Sequence, residues 1–219
     1  MTNVQKNEEK SSDYYGCERK PLLDFIPKDA GSLLDVGCGG GAFGAMLKAN
    51  RDIEVWGVEP VLSAAANARS QLDNVVHSMF DENTDLPDNY FDVITFNDSL
   101  EHFPYPGPPL ELARKKLNRK GVIVCSIPNV RYIENIKKLL VDKDWKYTEA
   151  GVLDNTHLRF FTKKSMIRTL TQSGFVVEAM QGINPHHWSG WKIRLLDFLF
   201  HKNIEDMKYL QYVVVASPK

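Results

Sequence analysis

The sequence predicts an α/β fold in which a mostly parallel sheet is covered by helices on both faces. Three observations carry that expectation. Short segments rich in β-branched and large apolar residues recur along the chain, stretches of helical composition separate most of them, and a glycine-rich turn, "DVGCGGG" at residues 35–41, closes the first segment.

The first strand is read at residues 32–36, where Leu33, Leu34 and Val36 run into the glycines, and a helix is read at 42–50 behind them. A second strand at 54–59 and a helix at 62–71 follow, then a third strand at 74–77 and a fourth at 91–97. Residues 108–117 have helical composition and 121–127 return to strand. Strands and helices in alternation imply a parallel sheet and a ligand at the carboxyl ends of the strands.

The ending differs. Residues 163–173 read as a helix stopped by Gly174, residues 175–180 as a strand, and residues 209–216 ("YLQYVVVA") as another. No convincing crossover helix separates these two strands, so an antiparallel pair is expected. The chain thus divides into an N-terminal cap segment, 1–30, and one domain, 31–219, with a late insertion at 184–207. Within the insertion, Trp188, Trp191, Leu195, Leu196 and Leu199 fall at near-helical spacing, suited to packing on the domain, to a dimer face or to a membrane surface.

Composition excludes several classes. The 219 residues carry 27 lysines and arginines against 28 aspartates and glutamates, a formal net charge of −1 without the excess positive charge that a nucleic-acid partner requires. Cys17, Cys38 and Cys125 form no C-x-x-C pair and read as reduced thiols. The polar first residues lack the apolar core of a signal peptide, and no apolar run reaches membrane-spanning length. The expectation is a cytoplasmic protein, monomer or homodimer, with no stable membrane insertion.

The glycine turn alone admits two ligands, because Gly37, Gly39 and Ala42 also satisfy the G-x-G-x-x-G/A pattern of dinucleotide sites. Asp35, two residues before the first glycine, tips the balance. A carboxylate there repels a pyrophosphate but attracts the ammonium and sulfonium of S-adenosylmethionine. Glu59, ending "VWGVEP", suits the ribose hydroxyls of either ligand.

The motifs "LLDVGCGGGAFG", "VWGVEP", "YFDVITFNDSLEHFPYP" and "KGVIVCSIPNV" follow one another at the spacing of a class I S-adenosylmethionine-dependent methyltransferase, and from about residue 15 to 177 the chain resembles that family. The resemblance implies a Rossmann-like, doubly wound, seven-stranded sheet whose last strand is antiparallel, with S-adenosyl-L-methionine as cofactor and S-adenosyl-L-homocysteine as product. It assigns Asp35, Gly37, Cys38, Gly39 and Gly41 to the methionine and ribose portion and Glu59, with Pro60, to the ribose. Ser78 falls where many relatives carry an aspartate for the adenine amino group, with Met79 on the adenine face and Asp81 as a displaced acid. Asn97 borders the methionine end, and Tyr15 and Arg19 close over the cofactor, Arg19 pairing with its carboxylate.

A second stretch, "WKYTEAGVLDNTHLRFFTKKSMIRTLTQSGF", resembles the D-x-T-H-x-R-F-F-T segment of a bacterial subgroup associated with cell-surface glycoconjugate assembly. It implies O-methylation of a sugar or other small hydroxylated acceptor. A quinone-precursor O-methyltransferase and a non-catalytic, S-adenosylmethionine-binding regulatory protein are the alternatives.

Methyl transfer to a hydroxyl calls for a base. His102 in "NDSLEHF" and His157 in "DNTHLRFF" are the candidates, with Asp154 three residues before His157 to orient its ring; His186 and His187 are further histidines near the acceptor side. No metal is expected, although Asp98, Glu101 and His102 form a D-x-x-E-H pattern that would converge on a divalent cation, similar to the E-x-x-E-H of ubiquinone-pathway enzymes. "FPYPGPPL" at 103–110, with four prolines, reads as a stiff turn at the site, and Trp145 and Tyr147 as a stacking surface or core plugs. Phe160 and Phe161 read as core.

Overall fold

The computed structural model describes residues 20–186 and 203–219. Helix α1 (Lys20–Leu23) leads into β1 (Ser32–Val36), α2 (Ala42–Asn50), β2 (Glu54–Val58), α3 (Leu62–Ala68), β3 (Asn74–Val76) and β4 (Phe91–Asn97). After a 3-10 turn, Leu100–His102, come α4 (Gly107–Lys116), β5 (Leu117–Pro128), and α5 (Ile133–Lys137), which runs on as a π-helical turn, Lys138–Asp142. Helix α6 (Lys163–Gln172), β6 (Phe175–Pro185), a 3-10 turn at Glu205–Lys208 and β7 (Tyr209–Pro218) complete the chain.

The seven strands lie in the order β3-β2-β1-β4-β5-β7-β6, with β7 antiparallel to both neighbours and every other pairing parallel. The chain winds one way from β1 through β3 and the other way from β4, so β1 and β4 flank the switch point where doubly wound sheets bind ligands. All five β1 residues are buried because both faces are covered, which is why the strand reads as a continuous apolar run broken only by Ser32 and Asp35. Leu34, Ile94, Phe96 and Ile123 face a cluster with Leu110 and Ala113 of α4 and Met166 and Leu170 of α6. Leu33, Val55, Val93 and Val124 face the opposite cluster, built with Leu22, Phe43 and Leu47.

Local chemistry explains the boundaries. Gly41 takes φ 86° at the start of α2, a left-handed conformation natural to glycine. Thr162 and Ser165 form a reciprocal capping box at the start of α6, and Gly174 at φ 82° ends it.

Three boundaries differ from the sequence reading by three residues or more, the others by two at most. α3 ends at Ala68 rather than continuing to residue 71, and Gln71 turns its amide to the Gly40 carbonyl. β5 begins at Leu117, four residues early, where the polar Asn118–Lys120 stretch still runs beside β4 across a register shift. β6 continues to Pro185, so residues 184 and 185 of the expected insertion are strand; Arg131 and Asn129 secure the other end through Asp206. Residues 187–202 of the insertion, including His187 and the expected 188–199 helix, and residues 1–19, including Tyr15, Cys17 and Arg19, lie outside the described residues. No helix among the described residues is long and apolar enough to cross a membrane.

Candidate functional site

Strand register assembles the first half of the site. Asp35 stands opposite Thr95 across the β1–β4 pair, and its Oδ1 accepts from Thr95 Oγ1 at 2.7 Å and Asn97 Nδ2 at 3.2 Å. The side chain is only 2% exposed, so its position is set before any ligand arrives. The glycines that follow leave room: Gly37, Gly39 and Gly41 all have positive φ, and a Cβ on Gly37 would lie 2.9 Å from Ser99 Cβ. One glycine went unnoticed in the sequence. A Cβ on Gly57 would meet Cys38 Sγ at 2.5 Å, so a bare position in β2 is what allows the cysteine of the turn to seat.

Glu59 ties this turn to the next strand end. Its Oε2 accepts from Gly39 N and its Oε1 from Val61 N, both at 2.9 Å. Each oxygen keeps a second lone pair, the acceptor capacity that a pair of ribose hydroxyls needs. Burial raises its pKa above the usual carboxylate value, the two backbone amides oppose this, and the Asp35 charge adds to it. Burial also pushes the Cys38 thiol well up, with Asp35 and Glu59 in support, which favours the neutral thiol over the thiolate.

Beyond Glu59, the Pro60 carbonyl lies 3.2 Å from His77 Nε2. Ser78 Oγ is buried with no hydrogen-bond partner among the described residues, and Met79 is 46% exposed beside it. Asp81 spends one oxygen on Asn83 N in a local turn. Asn97 Oδ1 and Ser99 Oγ, at the end of β4, are likewise buried without a partner among those residues. Buried polar atoms cost free energy unless satisfied. A glycine cradle and a fixed carboxylate after β1, the spare lone pairs of Glu59 after β2, and the polar atoms left over at the carboxyl ends of β3 and β4 fit a cationic nucleoside ligand.

The second half comes from two distant segments. Leu158 N and Arg159 N donate to the Glu101 carbonyl at 2.9 and 3.0 Å, laying the 152–159 loop across the 3-10 turn. His102 Nδ1 is 3.2 Å from the Thr156 carbonyl, and His157 Nδ1 is 3.0 Å from the Val152 carbonyl. The two imidazoles meet edge to face with centroids 4.9 Å apart, and His157 Nε2 is 3.8 Å from Glu101 Oε1. Asp154 Oδ1 accepts from Thr156 N and Oγ1, and its carbonyl from His157 N, so it builds the turn that carries His157. The group whose ligand atoms converge, within 4.8 Å of one another, is Glu101, His102 and His157, a set able to hold a divalent cation. Asp98 of the expected cation triad is not in that group: its Oδ1 meets Ser126 Oγ and Gln211 Nε2.

Around this group, Arg159 Nε donates to the Pro104 carbonyl and its guanidinium lies 5.7 Å from the Tyr105 ring, which is 71% exposed. Trp145 and Tyr147 pack against Phe160, with Tyr147 half exposed, while Phe161 is core.

The fold and the turn together define a class I S-adenosylmethionine-dependent methyltransferase. A methyltransferase-domain family model matches residues 12–180, and the chain belongs to that family. It is 27% identical over 207 residues to a ubiquinone biosynthesis O-methyltransferase of Aeromonas salmonicida, covering 84% of this chain and 85% of the relative. Two solved structures share the fold. A SAM-dependent methyltransferase from Archaeoglobus fulgidus superposes with TM-score 0.69 at 21% identity, covering 97% of this chain and 96% of the other. A possible histamine N-methyltransferase from Thermotoga maritima gives 0.65 at 20% identity, covering 91% and 87%.

Proposed function

We propose that the enzyme methylates the hydroxyl oxygen of a small acceptor, a sugar or a related polyhydroxylated compound, with His157 as general base. The observation that carries this reading is the meeting of His157, His102 and Glu101 just past the end of β4, next to Asn97.

S-adenosylmethionine, when bound, supplies an activated methyl group on a positively charged sulfur. Asp35 and Asn97 would present oxygen atoms to its cationic end, and Glu59 would take the ribose hydroxyls. With Nδ1 donating its hydrogen to the Val152 carbonyl, His157 keeps its lone pair at Nε2. As the methyl group passes to the acceptor oxygen, its bond to sulfur would break and leave the electron pair on the departing neutral thioether, while His157 Nε2 would take the proton released from the acceptor O–H. Glu101, 3.8 Å away, stabilises the resulting imidazolium. Loop 152–159 and the proline turn at 103–110 hold the acceptor in line and exclude water.

A quinone-precursor acceptor is the second reading, favoured by the name of the 27%-identical relative. A methylation assay with two acceptor panels, polyhydroxylated sugars and catechol acids, separates them. Methyl transfer to sugars alone supports the first reading, and transfer to catechols alone overturns it for the second. Tight binding of S-adenosylmethionine without turnover on either panel points to a regulatory protein.

A further inference from the structure

Asp98, the residue between β4 and the 3-10 turn, has φ 48°. This left-handed conformation is disfavoured for residues with a Cβ, least so for aspartate and asparagine, and it persists where the surroundings hold it. Three contacts do so here. Asp98 N donates to the Ser126 carbonyl at 3.0 Å, Ser126 Oγ donates to Asp98 Oδ1 at 3.3 Å, and Gln211 Nε2, from β7, donates to the same oxygen at 2.6 Å. Gln211 is itself oriented. Its Oε1 accepts from Asn184 Nδ2 at 2.9 Å, so the amide nitrogen is the end that faces Asp98. Asn184 is a second non-glycine residue of positive φ, at 51°.

What Asp98 holds is the junction of the site's two halves. Asn97 before it reaches Asp35, Ser99 after it fills the space beneath Gly37, and Glu101 and His102 follow in the turn. We propose that Gln211 is a positioning residue: through its hydrogen bond to Asp98 it fixes the turn that aims Asn97, Glu101 and His102 at the reacting groups. The proposal rests on reading those residues as the place of methyl transfer. A polar residue in the otherwise apolar strand "YLQYVVVA" thereby acquires a task that strand packing would not give it.

The test exchanges the partners. Gln211→Ala removes the donor, Gln211→Glu sets two carboxylates against each other, and Asp98→Asn combined with Gln211→Glu swaps amide and carboxylate so that the bond re-forms in reverse. Ser126, able to donate or accept, adapts to the swap. Amide hydrogen exchange is measured by mass spectrometry on the full chain saturated with S-adenosylhomocysteine. Peptides covering residues 97–103 should exchange about tenfold faster in both single variants and return to within about twofold of wild type in the double variant, while β1 keeps its protection throughout. Where an acceptor is turned over, kcat should fall by about tenfold in the singles and recover in the double, with the KM for S-adenosylmethionine changed less than about threefold. Wild-type exchange at 97–103 in the single variants, no recovery in the double, or an unchanged kcat would each overturn the proposal. If the exchange pattern holds while wild type turns over no acceptor on either panel, the local bond stands and the methyl-transfer reading fails instead.

Discussion

Replacing Asp35 by asparagine isolates charge from shape. The asparagine carbonyl can stay where Oδ1 now accepts from Thr95 Oγ1 and Asn97 Nδ2, so the local frame is kept. What changes is the other oxygen, which becomes an NH2 group and turns a donor toward a cationic ligand. Hydrogen bonds to charged groups contribute about 1.5–3 kcal/mol and neutral ones about 0.5–1.5, so the loss should be about 1–3 kcal/mol. That is a weakening of S-adenosylmethionine binding of about 5- to 150-fold. Stability should move the other way. Asp35 is 2% exposed and its charge raises the Glu59 pKa, so its removal relieves repulsion between two buried carboxylates. The ligand-free variant should melt at or above the wild-type temperature. Calorimetric titration gives the affinity and thermal denaturation the stability. Affinity within about twofold of wild type, in a variant of undiminished stability, would refute the assignment of Asp35 to the cationic donor.

Further outcomes follow from the same geometry. Glu59 has its pKa raised in the fold, so folding favours its protonated form relative to the unfolded chain: its contribution to stability is present below the usual carboxylate range and is lost as pH rises through the higher folded value. Subtracting the stability-versus-pH curve of Glu59→Gln from that of wild type should expose that decline, with a slope of at most about 1.4 kcal/mol per pH unit; a rise instead would contradict it. Gly57→Ala should destabilise by about 1–3 kcal/mol in chemical denaturation, since its Cβ would press on Cys38 Sγ at 2.5 Å and Leu72 Cδ1 at 2.9 Å. His157→Ala should lower kcat by about 10²- to 10⁴-fold while S-adenosylmethionine affinity holds; a change below about threefold would remove the general base. Dialysis against a chelator, followed by assay with and without added divalent cation, decides whether Glu101, His102 and His157 act on a proton or a metal. Activity restored only by the cation would replace the base mechanism.

What the sequence disclosed and what it hid divide along physical lines. Strands buried on both faces, such as β1 and β4, are legible because burial demands unbroken apolar runs, and the glycine turn is legible because left-handed backbone selects its residues. Strand ends near the rim are not. The "QGIN" stretch of β6 is half exposed and sits on an edge strand, where glycine, asparagine and proline are tolerated, so it imitates a turn. β5 is an interior strand, but its start imitates a turn because Arg119 and Lys120 are exposed and β7 pairs with it only from Ile123 onward.

Local motifs likewise named Asp35, Glu59, His102 and His157, but the meeting of His102 with His157 depends on a loop 55 positions downstream folding back onto the Glu101 carbonyl, which no local pattern encodes. Gly57 carried a readable signal: an interior strand glycine marks a close approach. Gln211 carried another, a lone amide among apolar neighbours. Neither signal names its partner: Cys38 follows β1, beside β2, and Asp98 follows β4, one strand removed from β7, so each pair forms only once strand order is known. The carboxyl edge of this sheet is therefore specified twice, by the residues proposed to meet the ligand and by polar or absent side chains on other strands that pack against them.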